Sequence, residues 1–279
     1  MSHKTLVNGT SYEISGGKTL VNSTAYSISG GKTLVGGTAY EIGFGGTPVG
    51  EVGGLAVGGS VYMSVGGVST EFLVVHQGLP SSLYDSSCDG TWLLAKDILS
   101  TPKWDSTNND YANSDIHIYM NSGYLSFFDS KIRTAIKQVK IPYWKGTGIG
   151  TTSTVSSGVS SGANGLSTRI FLLSGYEVGF DDKSTNDLKQ LSVDGAKLDY
   201  FISGLATDAM NRRIGYQNGT ARIWGLRSPK VATNSTTTIC RVNTNGYYTF
   251  DRCNATSYWR PAMILPKELG YDENFNVIA

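Results

Sequence analysis

Histidine, cysteine, proline and charge are all scarce in this chain: its 279 residues hold three histidines, three cysteines and seven prolines, and 16% are charged. Acid–base and nucleophilic catalysis need an acid, a base or a nucleophile brought together. His3, His76 and His117 lie in no catalytic motif, and Ser174-Gly175 and Ser228-Pro229 lack the strand–turn–helix context of a nucleophile elbow. Cys88, Cys240 and Cys253 are odd in number and without metal-ligand spacing, which fits a reducing cytosol; Cys240 and Cys253 are the one pair that could join across strands. Asp85, Asp89, Asp181 and Asp182 make a carboxylate or metal site only if the fold gathers them, and loop solvation is the simpler role. We therefore expect no enzyme, no catalytic residue, no metal and no cofactor. The formal charge of +1 leaves no basic footprint for a nucleic acid. No apolar run approaches membrane-spanning length and the start is polar, so neither membrane insertion nor a cleaved secretion signal is expected.

What the chain has instead is glycine, with 35 residues, and tyrosine, with 16. Strong helix formers are sparse, so the composition favours strands, turns and loops with a few helices. The first feature is a repeat of period 14: Lys4 to Ile14, Lys18 to Ile28 and Lys32 to Ile42 share the pattern Lys-Thr-Leu-Val-x-x-Thr-x-Tyr-x-Ile. The central pair in each is Asn-Gly, Asn-Ser or Gly-Gly, the chemistry of a two-residue hairpin turn. Such short hairpins cannot bury both faces alone. Residues 1–45 are accordingly expected to anchor or oligomerise the protein, and the glycine-dense 46–59 to be a linker.

A globular domain is expected over 60–269, followed by a tail at 270–279. Val61 to Val65 and Thr70 to Val75 read as a hairpin, and Gly90 to Ala95 as a buried strand. Asn113-Ser114 can cap a helix presenting Ile116, Tyr119, Met120 and Tyr124. Asp129-Ser130 can cap a second, with Ile132, Ala135, Ile136 and Val139 at i, i+3, i+4 and i+7. Gly146 to Gly165 is too long to be an ordinary connection. Strands follow at 168–173, 222–224, 238–242, 247–250 and 261–265. Helices early and strands late indicate an α+β domain.

The segments Trp92-Leu-Leu-Ala, Asn113-Ser-Asp-Ile-His, Ile141-Pro-Tyr, Phe171 to Gly179, Trp224-Gly-Leu-Arg-Ser-Pro229 and Arg260 to Pro266 carry a resemblance. In that order they resemble an uncharacterised domain family of bacterial and phage proteins, C-type-lectin-like and similar to the variable proteins of diversity-generating retroelements. Two positions depart from the pattern: Gly225 stands where the family tends to carry a second Trp, and Thr238-Ile-Cys replaces an aromatic-containing strand start. The resemblance implies a C-type-lectin-like scaffold held by Trp92, Trp224, Arg227 and Arg260, with the arginines as structural hydrogen-bond hubs. The calcium-dependent sugar motifs Glu-Pro-Asn, Gln-Pro-Asp and Trp-Asn-Asp do not occur here. Formylglycine-generating enzymes, distantly similar in fold, need a reactive cysteine pair; here Cys240 and Cys253 lie between Thr233 and Tyr258, a segment whose composition suits binding.

Between Thr233 and Tyr258 there is no Lys, Glu, Gln, Met or Trp, the five types that adenine-directed mutagenesis of asparagine-type codons cannot reach; an ordinary exposed loop accounts for the same absence. Tyrosine offers large contact area at small entropic cost, and Ser, Thr, Asn and Gly adaptable hydrogen bonding. Tyr247, Tyr248, Arg252, Tyr258 and Trp259 are the expected anchors, and Asn243, Asn245, Asp251, Asn254, Thr256 and Ser257 the adaptable polar set. Strand alternation would instead turn some of these, such as Tyr248 and Phe250, inward.

The reading is a phage virion protein, made in the host cytoplasm and carried on tail or head. Its repeats would contact other virion proteins as a homotrimer, and its C-terminal domain would bind a bacterial surface receptor, protein or glycan. The alternatives are a virion decoration protein making protein contacts only, and a cell-wall glycosidase.

Overall fold

The computed structural model describes residues 3–7, 10–14, 18–21, 24–27, 31–35, 38–42, 48–100, 103–144, 158–180, 191–231, 235–255 and 258–279. They fall into two units, 1–47 and 48–279.

The N-terminal unit is three antiparallel hairpins: β1 (His3–Val7) with β2 (Thr10–Ile14), β3 (Lys18–Val21) with β4 (Thr24–Ser27), and β5 (Gly31–Val35) with β6 (Thr38–Ile42). The closing pairs Val7↔Thr10, Val21↔Thr24 and Val35↔Thr38 leave two residues in each loop. That is the connection the Asn-Gly, Asn-Ser and Gly-Gly steps call for, although the turn residues themselves lie outside the described residues.

The second unit is α+β and mostly strand. It begins with β7 (Gly50–Glu51), then β8 (Ser60–Val65), β9 (Val68–Gly78), β10 (Gly90–Ala95) and β11 (Leu99–Ser100). Helix α1 (Asp115–Tyr119) runs into a π-helical turn at Met120–Tyr124, and α2 (Ser130–Ala135) follows. Next come β12 (Val139–Ile141), β13 (Tyr143–Trp144), β14 (Val159–Ser160), β15 (Leu166–Thr168) and β16 (Ile170–Phe171). Helices α3 (Asp199–Ile202) and α4 (Ala206–Arg213) precede a hairpin of β17 (Gly215–Gln217) and β18 (Thr220–Arg222). The chain closes with β19 (Trp224–Pro229), β20 (Thr238–Val242), β21 (Tyr248–Arg252), β22 (Tyr258–Trp259), β23 (Ala262–Leu265), β24 (Gly270–Tyr271) and β25 (Val277–Ile278).

Two five-stranded sheets organise this unit. The first, β16-β23-β10-β9-β8, is antiparallel throughout; the second, β11-β22-β19-β20-β21, has one parallel pair, β19 with β22. Every residue of β10, β19 and β23 is buried; β10 and β23 are the near-continuous apolar runs of strands covered on both faces, whereas β19 carries Arg227 and Ser228 into the interior. Val139, expected on the second helix, pairs with Thr168 in β12 instead. The Asp129 cap accepts hydrogen bonds from Lys131 N and Ile132 N, but the helix ends at Ala135.

The expected linker and tail are both part of this fold. Gly50↔Tyr271 and Glu51↔Gly270 pair β7 with β24, and Tyr271↔Val277 pairs β24 with β25. Val52 is fully buried, and Gln77 Nε2 donates to the carbonyls of Val52 (2.9 Å) and Leu55 (3.0 Å). Glycine density here permits close backbone approach: a side chain at Gly53 would meet Lys267. Of the long excursion at 146–165, residues 146–157 lie outside the described residues.

Candidate functional site

Strand β20 is the last fully supported strand of the second sheet. Ile239, Cys240, Arg241 and Val242 are buried, whereas β21, paired to it from Thr238↔Arg252 to Val242↔Tyr248, is half-buried to exposed. A buried strand thus holds an accessible one, which fixes the β21 side chains without hiding them.

The turn between them is built by Asn243. Its Oδ1 accepts from Asn245 N (2.8 Å) and Tyr247 N (3.1 Å), and its own N–H donates to Tyr247 O (2.8 Å). Gly246 takes φ +78, and a side chain there would run into Met210. Asn243 is therefore a turn residue before it is a contact residue. Asn245 and Tyr247 stand exposed at the tip, Tyr247 at 55%.

Along β21 the side chains alternate. Tyr248 and Phe250 share one face, half-buried, with Tyr248 edge-on to Phe180 (6.0 Å) and to Phe250 (5.9 Å). Lys230 sits over the Phe250 ring at 5.0 Å and Arg213 over the Phe180 ring at 4.7 Å. On the other face Asp251 pairs with buried Arg241 at 3.0 Å. Arg252 ends the strand exposed, and Asn254 is exposed in the turn that follows. Among the described residues neither Lys230 nor Arg252 has an ion-pair partner. Lys230, Phe180 and Arg241 were not anticipated. Only the period-2 alternation of Tyr248 and Phe250 signalled any of this arrangement in sequence.

The remaining expected contacts stand elsewhere. Tyr258 is half-buried beneath Arg222, 5.6 Å from its ring centre, and is separated from β21 by β19 and β20. Trp259 is 1% exposed, so it is a core residue and not an anchor on the hairpin. Its ring occupies the space that a side chain at 225 would need, which accounts physically for Gly225. Thr256 and Ser257 lie outside the described residues.

Behind the hairpin lies a buried polar centre. Arg227, fully buried, donates from Nη1 to Glu177 Oε2 (2.6 Å) and Leu172 O (2.8 Å). Its Nη2 donates to Glu177 Oε1 (2.7 Å) and Asp194 O (2.7 Å), and its Nε to Pro142 O (3.1 Å). Tyr84 Oη adds a hydrogen bond to Glu177 Oε1 (2.7 Å), and Ser228 Oγ one to Asp194 Oδ1 (2.6 Å). Burial pushes Asp194 up to about 6 even though Arg227 and Ser228 pull it down. Burial would lower Arg227, but Glu177 and Asp194 outweigh it and hold the guanidinium charged. Arg260, also buried, donates Nε to Ala95 O (3.0 Å) and lies 5.1 Å from the Trp224 ring. Trp92 Nε1 reaches Cys88 O (3.0 Å), and Trp224 Nε1 reaches Arg213 O (2.8 Å).

Among the described residues, those weighed for chemistry do not gather. His76 Nδ1 is 2.8 Å from Asp199 Oδ2 without hydrogen-bond geometry, and His117 contacts Thr168 Oγ1 and Ala112 O. Asp85 caps Ser87 N and Asp89 pairs with Lys267; Asp181 and Asp182 lie outside the described residues. Cys88, Cys240 and Cys253 are buried free thiols, and burial pushes each up, Cys88 to about 12. Such thiols are poor nucleophiles.

No curated protein and no solved structure matches the chain. One family model does, a domain of unknown function, DUF6273, over residues 89–267. That stretch contains both helices α1 and α2, the β20–β21 hairpin and, Tyr84 apart, the buried polar centre, and it covers more than half of the chain: the protein belongs to the DUF6273 domain family.

Proposed function

We propose that the second unit is a binding domain whose recognition surface is the β20–β21 hairpin, and that the protein is a phage virion protein for attachment to a bacterial surface receptor. The observation that carries this reading is the hairpin's construction: exposed Tyr247, half-buried Tyr248 and Phe250, and the cation Arg252 are held by a buried strand, with Lys230, just past the end of β19, over the Phe250 ring. Aromatic rings and arginine are the groups that dominate binding energies, and a fixed frame lowers the entropy lost on contact. The scaffold we assign to it is C-type-lectin-like, in keeping with the α+β sheets and with the segments that carry the resemblance. The three hairpins would join chains as a homotrimer, so that weak single contacts add up to avid attachment.

The test is adherence of the labelled full chain to a panel of bacterial cells. Tyr247→Ala and Arg252→Ala should each weaken binding at least about tenfold, the loss of one anchor, with unchanged thermal unfolding. Undiminished adherence of both variants would remove the hairpin from the reading. The position of β21 at the end of its sheet favours a second reading, a decoration protein whose edge strand pairs with another virion protein. Failure to adhere to any cell, together with retention on purified particles, would favour it.

A further inference from the structure

The chain has four Asn-Gly steps, at 8–9, 164–165, 218–219 and 245–246, and the last three lie among the described residues. At such a step the glycine nitrogen can attack the preceding side-chain amide carbon, because no Cβ on the glycine stands in the way. In a folded chain the attack needs that nitrogen free and that backbone able to move. The structure separates the three steps on both counts. Gly165 N donates to Gly162 O (2.9 Å), and a side chain there would meet the backbone of Lys140 and Ile141. Gly246 N donates to Asn243 O (3.1 Å), in the turn that Asn243 braces and that lies against Met210. Gly219 N has no acceptor among the described residues. The loop explains why: Gln217↔Thr220 closes the β17–β18 hairpin, so both loop residues stand outside its ladder. Asn218 (φ 50) and Gly219 (φ 74) are exposed, and nothing lies within 4 Å of where a Cβ on Gly219 would stand.

We propose that Asn218 is a site of spontaneous modification, deamidating through a cyclic imide, and that the fold protects Asn164 and Asn245 from the same reaction. Strands β17 and β18 form a sheet of two, tied to the rest of the unit through the Asp97↔Tyr216 bridge and the bond from Ile98 N to Tyr216 O (2.8 Å). A hairpin of two short strands is marginally stable, so its tip opens locally at small cost. Opening lets Asn218 leave the left-handed region and turn its amide carbon towards Gly219 N. In the step itself the Gly219 nitrogen bonds to Asn218 Cγ and gives up its proton, the Cγ–Nδ2 bond breaks, and Nδ2 departs with that proton as ammonia. Water then opens the imide at one carbonyl or the other, giving aspartate or isoaspartate. Both products add a negative charge to the tip, and isoaspartate also adds a backbone atom to a loop built for two residues. This site is separate from the β20–β21 hairpin and does not depend on the role proposed for it.

The experiment ages the full chain in warm, mildly alkaline buffer, once folded and once in urea, and follows the amide-to-acid mass gain at each Asn-Gly step by mass spectrometry of its digest. In the folded chain Asn218 should convert at least about fivefold faster than Asn164 and Asn245, the factor that one backbone hydrogen bond is worth. In urea the three should convert alike. Asn218→Gly, which accepts the positive φ and carries no amide, should abolish the gain in that peptide and leave the other two unchanged. Equal rates in the folded chain, or Asn164 or Asn245 converting first, would overturn the proposal. So would a folded chain that keeps Asn218 intact while the unfolded chain converts it.

Discussion

Arg227 and Glu177 face each other with two hydrogen bonds and no exposure to solvent. A buried pair of this kind adds little over an apolar pair, but removing one member strands the other charge, at about 3–5 kcal/mol. Arg227→Met and Glu177→Gln should each lower the free energy of unfolding by that amount, read from urea denaturation. The double variant Arg227→Met/Glu177→Leu should recover part of it. Asp194 makes a separate prediction through pH. Its folded-state value, about 6, lies above that of the unfolded chain, so between about pH 4 and pH 6 the folded state binds more protons. Stability on its account is fully present below about pH 4 and is lost as pH rises through about 6, by about 3 kcal/mol in all. Asp194→Asn, which keeps an acceptor for Ser228, should flatten that slope in urea denaturation series across pH. Sequence reading reached Arg227 as a hub and quoted Glu177 inside a motif. It did not find Asp194, because a contact 33 residues away leaves no local pattern.

The hairpin turn is the element on which the recognition surface hangs. Gly246 combines a positive φ with a backbone neighbour where a side chain would go. Gly246→Ala should therefore destabilise by about 1–3 kcal/mol and weaken cell adherence with it, measured by thermal unfolding and binding together. Substitutions found across many isolates of the gene should collect at Asn245, Tyr247, Arg252 and Asn254, and less at Asp251, which pairs with buried Arg241. They should spare Asn243, which builds the turn, and Trp259, which fills the core; an even spread would count against a variable surface. Strands were the more legible elements, since β8, β9, β10, β20 and β23 are apolar runs bounded by turn residues. Helix α4 was not legible: only Ala209 of its eight residues is buried, so it carries no apolar stripe. Val139 kept helical spacing with Ile132 yet joined a strand, because pairing with Thr168 outweighs local periodicity.

At the scale of the whole molecule the chain divides at 47/48, near the glycine-rich boundary seen in sequence, but the second unit begins earlier and ends later than composition suggested. Glycine content marked 46–59 as a linker because it cannot report backbone pairing with a strand more than 200 residues away. If the repeats oligomerise the protein, light scattering should give three times the single-chain mass for the full chain and the single-chain mass for residues 48–279; equal association states would refute the assignment. The small sheet of β7, β24 and β25 has one more consequence. Strands β7 and β25 flank β24 and both run antiparallel to it, so the second unit is entered at one end of this sheet and left at the other. A fusion partner after Ala279 is therefore delivered to the end of this sheet opposite Pro48. The exposed Gly66-Gly67 turn has free space around it, but both glycines hold positive φ, so a reporter inserted there has to keep that backbone conformation.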